Sequence, residues 1–161
     1  QCRSQILLGA RQFVGQAIFV PCQPSFRVFR AASHQFVEYR VGSSGSLSGA
    51  RRVLEIGTLG GFSTICLARG VGSEGSVVSL ERDARHAEVA TCNLQRAGLA
   101  DRVNIVIGAA LETLPRLTGD FDLVFIDADK ENNAAYVRHA IRLGRRGTVI
   151  VVDNAVRSGR I

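Results

Sequence analysis

The chain has 161 residues, of which 46% are hydrophobic and 21% charged, as is typical of one globular α/β domain. No apolar run approaches the ~20 residues that a membrane-spanning helix needs, so we expect no membrane partner. The net charge is +6, but the arginines are scattered, so we also expect no nucleic-acid partner. The four cysteines lack zinc-site spacing and nothing requires an oxidising compartment, which favours a cytoplasmic protein.

The first 50 residues lack the regular pattern of the rest of the chain. They contain five arginines but only one acidic residue, and residues 42–49 have the composition of a flexible linker. We expect residues 1–50 to form a poorly ordered or helical extension, with residues 26–41 as the candidate helix. Because the chain neither begins with methionine nor contains one, we interpret it as a fragment or processed product, with residues 51–161 as its patterned domain.

From residue 51 onward, short apolar runs alternate with helical patterns. The apolar runs predict five strands, at residues 52–56, 77–81, 103–107, 121–127 and 147–153. Four helices are predicted at residues 62–69, 84–97, 110–117 and 132–143, with Asp83 capping the second and Gly98 ending it. This order indicates a doubly wound, mostly parallel sheet, which binds ligands beyond the carboxyl ends of its strands.

A glycine-rich turn follows the first predicted strand. Gly57 and the pair Gly60-Gly61 lie in this turn, and Glu81 ends the next strand 24 residues after Gly57. An acid at this position can accept hydrogen bonds from both hydroxyls of a ribose, although it could instead cap a turn. The glycine spacing departs from the GxGxxG pattern for pyrophosphate, and Glu55 would repel a phosphate. We therefore expect a nucleoside with an ammonium group and no phosphate, such as S-adenosylmethionine.

Two later apolar runs also end in carboxylates. Asp127 lies three residues before Lys130, the only lysine beside 19 arginines, and Asp153-Asn154 closes the last predicted strand. Neighbouring parallel strands lie roughly 4.8 Å apart, so Asp127, Asp153 and Asn154 can converge on one cation. Oxygen ligands favour Mg²⁺ or another divalent cation over zinc, although both aspartates could instead cap the next segments. Because lysine can lose its proton, Lys130 is a candidate general base, with a solvated helix start as the alternative.

Taken together, these residues resemble the cation-dependent O-methyltransferases of the catechol and caffeoyl-CoA type, and most closely their small bacterial members. The first motif of that family is similar to residues 53–64, and its metal and lysine motifs are similar to residues 125–130 and 152–154. The resemblance covers about residues 51–160. It implies a Rossmann-like class I methyltransferase fold, S-adenosylmethionine as the methyl donor and a divalent cation as a second cofactor.

The resemblance also implies roles for individual residues. Four residues would surround the methionine part of the cofactor: Glu55, Gly57, Thr58 and Ser63. Glu81 would bind the ribose, and three residues after the third strand would lie beside the adenine: Gly108, Ala109 and Ala110. The ligands of the cation would be Asp127, Asp153 and Asn154. Asp127 would also belong to the cofactor site, and Lys130 would lie close to the acceptor hydroxyl.

Two parts of the family pattern are not found. The helices that usually precede the first strand are not recognisable in residues 1–50, and the family continues beyond Ile161 with an antiparallel strand pair. We therefore expect a sheet that lacks this final pair and leaves residues 148–152 as an exposed apolar edge. The acceptor implied is a small hydroxylated aromatic molecule, and the full-length form is expected to be a homodimer.

Two other functions stay open at this point. One is a non-catalytic, truncated nucleotide-fold protein, which the atypical residues 1–50 and the early end of the chain would explain. The other is a dinucleotide-dependent oxidoreductase on the same general fold. The glycine spacing and the absence of a Tyr-x-x-x-Lys pair argue against the second of these.

Overall fold

The computed structural model describes the backbone of residues 27–31 and all of residues 49–153. Within these ranges the strands are β1 (Arg27–Ala31), β2 (Arg52–Ile56), β3 (Ser76–Glu81), β4 (Val103–Ile107), β5 (Phe121–Ile126) and β6 (Gly144–Asp153). The α-helices are α1 (Phe62–Gly70), α2 (Ala84–Arg96), α3 (Ala110–Thr113) and α4 (Asn133–Leu143). Three 3₁₀ turns lie at Ala100–Arg102, Leu114–Arg116 and Lys130–Asn132.

The six strands form one sheet in the order β1-β6-β5-β2-β3-β4, and every pairing in the described ranges is parallel. The chain runs from β2 outward to β4 and then returns to the other side of β2, so the switch point lies between β2 and β5. The predicted doubly wound, Rossmann-like sheet is confirmed, and its five predicted strands agree with the structure to within three residues.

Helices cover both faces of the sheet. On one face, here called the α1–α2 face, Val53 packs with Leu67 and Leu94 in a buried cluster. On the opposite face Leu54 packs with Tyr136 of α4. Because successive strand residues point to opposite faces, burial on both sides explains the nearly continuous apolar runs in the sequence. Only the first turn of the predicted 110–117 helix is α-helical, because Pro115 has no N–H to continue it.

The segment at residues 27–31 differs from the prediction. It forms β1, which pairs with β6 from Arg27 opposite Val149 to Ala31 opposite Asp153. The helix predicted at 26–41 is therefore wrong for these five residues, and β6 is not the exposed edge that we expected. An open edge presents unpaired N–H and C=O groups, and a strand that satisfies them outweighs a weak local helical pattern. Predictions for residues 1–26, 32–48 and 154–161 lie outside the described residues.

The helices of the described ranges are short. The longest, α2, has 13 residues, and none is long and apolar enough to cross a membrane. These helices cover the two faces of the sheet. Because the strands are parallel, the carboxyl ends of β2, β3, β5 and β6 lie together at one edge.

Candidate functional site

Four carboxylates lie toward the carboxyl ends of neighbouring strands. Glu55 and Glu81 belong to β2 and β3, Asp153 ends β6, and Asp127 directly follows β5. In the alternation of their strands all four have the parity of residues buried on the α1–α2 face. The β5–β6 register, extended by one residue beyond Ile126, sets Asp127 opposite Asp153. Tertiary structure thus brings these predicted residues to one edge of one sheet face.

Gly57 lies where the glycine turn meets the end of β5. Its φ is +101°, and its N–H donates to the carbonyl oxygen of Leu80 at 3.0 Å. A Cβ atom at this position would lie 2.2 Å from the carbonyl oxygen of Asp127, which is too close for any side chain. Glycine is required here both by the backbone angle and by the approach of the two strand ends at the switch point.

Glu81 ties the end of β3 to the glycine turn. Its Oε2 accepts hydrogen bonds from the N–H groups of Thr58 at 3.1 Å and Leu59 at 2.7 Å, and its Oε1 accepts one from Asp83 at 2.9 Å. The Glu81 carboxylate therefore caps the turn in this structure, which is the alternative to ribose binding that the sequence left open. Binding of a ribose by the same carboxylate stays a prediction, since it would require exchange of some of these contacts.

Glu55 is fully buried beneath the first turn of α1, rather than open at the strand end. Its Oε2 accepts hydrogen bonds of 2.5 Å from the hydroxyls of Thr64 and Ser79. The other oxygen, Oε1, is buried and has no hydrogen bond within the described part of the chain. Burial raises the pKa of Glu55 to about 7, although the hydroxyls of Ser63, Ser79 and Thr64 oppose the rise. The charge of Asp127 adds to the rise, so Glu55 and Asp127 are electrostatic neighbours.

Ser79 is a residue of this site that the sequence analysis missed. Its hydroxyl lies 2.5 Å from that of Thr58 as well as 2.5 Å from Glu55, and its side chain is fully buried. The signal was present, because a serine interrupts the apolar strand between Val78 and Leu80. Only the β2–β3 register, which sets Ser79 opposite Glu55, reveals what that serine contacts.

The three residues predicted to lie beside an adenine follow β4, next to β3 in the sheet. The N–H of Gly108 donates to the carbonyl oxygen of Glu81 at 2.8 Å, which extends the β3–β4 pairing by one residue. Ala109 precedes α3, and its carbonyl oxygen accepts a hydrogen bond from the Thr113 hydroxyl at 3.0 Å. Together with Ala110, the first residue of α3, they form the outer boundary of the edge that Glu81 occupies.

Lys130 bridges the ends of β5 and β6. Its Nζ donates to Oδ1 of Asp127 at 3.1 Å and to the carbonyl oxygen of Asp153 at 3.1 Å. The Lys130 side chain is 34% exposed to solvent and the Asp127 side chain 25%, whereas Asp153 is fully buried. The structure places these three residues next to one another, while their roles as general base and metal ligands stay predictions. Asn154 lies outside the described residues.

The oxygen atoms that Asp127 and Asp153 offer are of the kind that a hard divalent cation binds. Asp127 and Asp153 offer carboxylate oxygens from adjacent strand ends, a combination that suits Mg²⁺ better than zinc. Two carboxylates at neighbouring strand ends favour a positive charge nearby, and the Lys130 ammonium already contacts the Asp127 carboxylate and the backbone carbonyl of Asp153. Residues 49–153 contain no group of three or more His, Cys, Asp or Glu that could hold a metal. The ion would therefore need further oxygen donors.

Asp129 and Tyr136 hold the loop between β5 and α4. The Tyr136 hydroxyl donates to Oδ1 of Asp129 at 2.5 Å, and the Asn132 amide donates to Oδ2 of the same carboxylate. Burial and this carboxylate together raise the pKa of Tyr136 to about 12, which keeps the hydroxyl a donor. Asp129 therefore anchors the loop that carries Lys130 to the buried face of α4.

Comparison with known proteins extends these observations. A family model described as O-methyltransferase matches residues 28–161. The chain is 72% identical over 113 residues to a catechol O-methyltransferase of Mycobacterium tuberculosis, covering 70% of this chain and 51% of that protein. It is 47% identical over 116 residues to a catechol O-methyltransferase of Niastella koreensis, covering 70% and 52%. The chain thus spans about half the length of these curated relatives.

The fold is likewise similar to those of solved O-methyltransferases. The O-methyltransferase from Bacillus cereus, solved in complex with SAH, superposes with a TM-score of 0.70 at 42% sequence identity. That superposition covers 96% of this chain and 66% of the other. The family match includes every residue predicted for the site and all of β1 except Arg27. The chain therefore belongs to the O-methyltransferase family.

Proposed function

We propose that the full-length protein is an S-adenosylmethionine-dependent, divalent-metal-assisted O-methyltransferase of a small catechol-like or phenolic hydroxyl. One observation carries the proposal. Lys130 Nζ lies 3.1 Å from both Asp127 and the backbone of Asp153, on the sheet face where Glu55 and Glu81 border the glycine turn. A methyl donor and a hydroxyl acceptor could therefore meet at this edge.

Cofactor binding is supported at both ends of the proposed ligand. The buried carboxylate of Glu55 has one oxygen without a hydrogen bond in the described residues, and an ammonium group would satisfy it. Thr58 and Ser63 flank this position on the turn and on α1, while Glu81 and residues 108–110 form the side proposed for the ribose and adenine. A family relative solved with SAH supports the same class of ligand.

The metal half would act on the acceptor. Asp127, Asp153 and Asn154 would hold a divalent cation, which would supply Lewis-acid activation of the acceptor hydroxyl. Lys130 would accept the hydroxyl proton at Nζ or stabilise the resulting oxygen anion. The oxygen then forms a bond to the methyl carbon as the carbon–sulfur bond breaks, and S-adenosylhomocysteine leaves. Because the donor is already activated, positioning of the two reactants supplies much of the acceleration.

The partners follow from the same proposal. We infer a small hydroxylated aromatic acceptor, no nucleic acid and no membrane, a cytoplasmic location and a homodimer in the full-length form. The two relatives that carry the name catechol O-methyltransferase favour the acceptor class. Family membership also favours methyl transfer over the dinucleotide-dependent oxidoreductase.

A binding and turnover experiment tests this function. Calorimetry of the full-length protein should detect binding of S-adenosylhomocysteine, with or without Mg²⁺, and incubation with S-adenosylmethionine, catechol and Mg²⁺ should yield a methyl ether. Chelation of the metal should abolish turnover and leave cofactor binding. No heat of binding at millimolar ligand would contradict the proposal. Binding without turnover would favour the non-catalytic alternative.

A further inference from the structure

Four buried polar side chains form a continuous group beneath the glycine turn. Glu55, Thr64 and Ser79 have no exposed surface, and Thr58 is 2% exposed. Apolar side chains could fill this volume, and a carboxylate in such a place is unfavourable unless it is hydrogen bonded. One strand residue, Ser79, and one helix residue, Thr64, supply those hydrogen bonds.

We propose that Ser79 and Thr64 are positioning residues for the methyl donor: they fix the Glu55 carboxylate so that its Oε1 meets the ammonium group of the ligand. This inference rests on the proposed function and deepens it. Neither residue touches the ligand in this proposal, because both hydroxyls already donate to Oε2 of Glu55. Their effect on binding is exerted through Glu55.

The geometry of Glu55 supports this role. Both hydroxyls donate to the same oxygen, Oε2, at 2.5 Å, and they approach it from different elements, Thr64 from α1 and Ser79 from β3. Two donors on one oxygen set the rotation of the carboxylate plane and leave Oε1 as the oxygen available to a further donor. They also favour the ionised form of the acid against its burial, which is the form that binds an ammonium group.

Ser79 makes a second connection. Its hydroxyl contacts that of Thr58 at 2.5 Å, and the Thr58 N–H donates to Oε2 of Glu81 at 3.1 Å. The methionine half and the ribose half of the proposed site are therefore linked through one buried serine. Loss of the Ser79 hydroxyl removes a donor from Glu55 and a partner from the glycine turn at once.

Calorimetric titration of the full chain with S-adenosylhomocysteine tests the inference. We expect Ser79→Ala and Thr64→Val, which remove a hydroxyl with little change in shape, to weaken binding about 10-fold each, the equivalent of one buried hydrogen bond. Thr64→Ser keeps the donor and should bind within about 3-fold of the wild type. The Thr64 pair keeps the test decisive if Ser79→Ala fails to fold.

Thr148→Val is the matched control. Thr148 is also buried, and its hydroxyl donates to the carbonyl oxygen of Phe121 at 2.7 Å, at the opposite end of the sheet. This variant should unfold at a lower temperature and bind the ligand with unchanged affinity. Equal weakening in Thr148→Val, or wild-type affinity in folded Ser79→Ala and Thr64→Val, would overturn the inference. If the wild type itself does not bind, the proposed function fails and this inference with it.

Discussion

At the scale of single residues, the contact between Lys130, Asp127 and Asp153 explains why a lysine occurs in a chain that otherwise uses arginine. The ammonium group is compact enough to lie within 3.1 Å of an oxygen on each of two strand ends. A guanidinium is larger and planar, with donors in a fixed fork, and it keeps its proton under all ordinary conditions. A compact point charge therefore suits this narrow place between two strand ends better than a guanidinium would.

Asp153→Ala tests the metal half at this scale. We expect metal-dependent activity to fall by about 100-fold or more, because Asp153 is a proposed ligand of the cation that would orient and activate the acceptor. Affinity for S-adenosylhomocysteine, measured by calorimetry, should stay within about 3-fold of the wild type. The exposed Asp101, in the turn before β4, gives a control whose replacement by alanine should alter neither quantity. Equal loss of cofactor binding in Asp153→Ala would mean that Asp153 is misassigned.

At the scale of elements, the glycine turn after β2 is fixed by the strands on either side of it. The Glu81 carboxylate of β3 holds the turn by accepting hydrogen bonds from two backbone N–H groups of the turn. Gly57 of the turn approaches the end of β5 directly. Asn93 of α2 adds a hydrogen bond of 2.9 Å to the carbonyl oxygen of Gly60. The turn therefore acts as a rigid part of the sheet edge, and its conformation and that of the Asp127 loop depend on each other.

Gly57→Ala should show this dependence. We expect a loss of at least about 2 kcal/mol in the free energy of unfolding, from the positive φ together with a Cβ atom that meets a carbonyl oxygen. Gly60→Ala is the matched control, since nothing lies within 4 Å of its Cβ position, and we expect a change within about 1 kcal/mol. Urea unfolding of both variants measures the difference. Similar stabilities would refute the close approach.

At the scale of the whole molecule, the buried acid Glu55 on the α1–α2 face makes stability depend on pH. Burial raises the pKa of Glu55 from 4.5 to about 7, so the folded state holds this proton more tightly than the unfolded chain does. The contribution of Glu55 is therefore most favourable below pH 4.5 and is lost as the pH rises to about 7. At roughly 1.4 kcal/mol for each pKa unit, the total change is a few kcal/mol.

Glu55→Gln should abolish this dependence, since the amide keeps an oxygen for the two hydroxyls and does not titrate. The free energy of unfolding of the variant minus that of the wild type should increase between about pH 5 and 7 and stay constant above. Urea unfolding at several pH values gives both curves. Glu88→Gln, an exposed acid on α2, should follow the wild type. Parallel curves for Glu55→Gln and the wild type would contradict the assigned pKa.

Much of the fold and most of the site could be predicted from local patterns. The alternation of apolar runs with helices gave the five strands, and Gly57, Glu81, Asp127 and Asp153 were identified because each ends a run. The strand β1 was not predicted, since its partner β6 lies more than 100 residues away and residues 27–31 carry no clear strand pattern. Pairing with a distant edge leaves no local signal.

The sequence alone determined the order of the elements, the positions of the acids at strand ends and the family resemblance, because these depend on residues close together in the chain. Tertiary structure decided which side chains meet: Ser79 and Thr64 at Glu55, Tyr136 at Asp129, and Lys130 between two strands. The physical reason is that strand register and helix packing bring together residues that no local pattern relates, such as Glu55 and Ser79 on neighbouring strands. A buried hydroxyl acquires its role only from the partner that packing places within hydrogen-bonding distance.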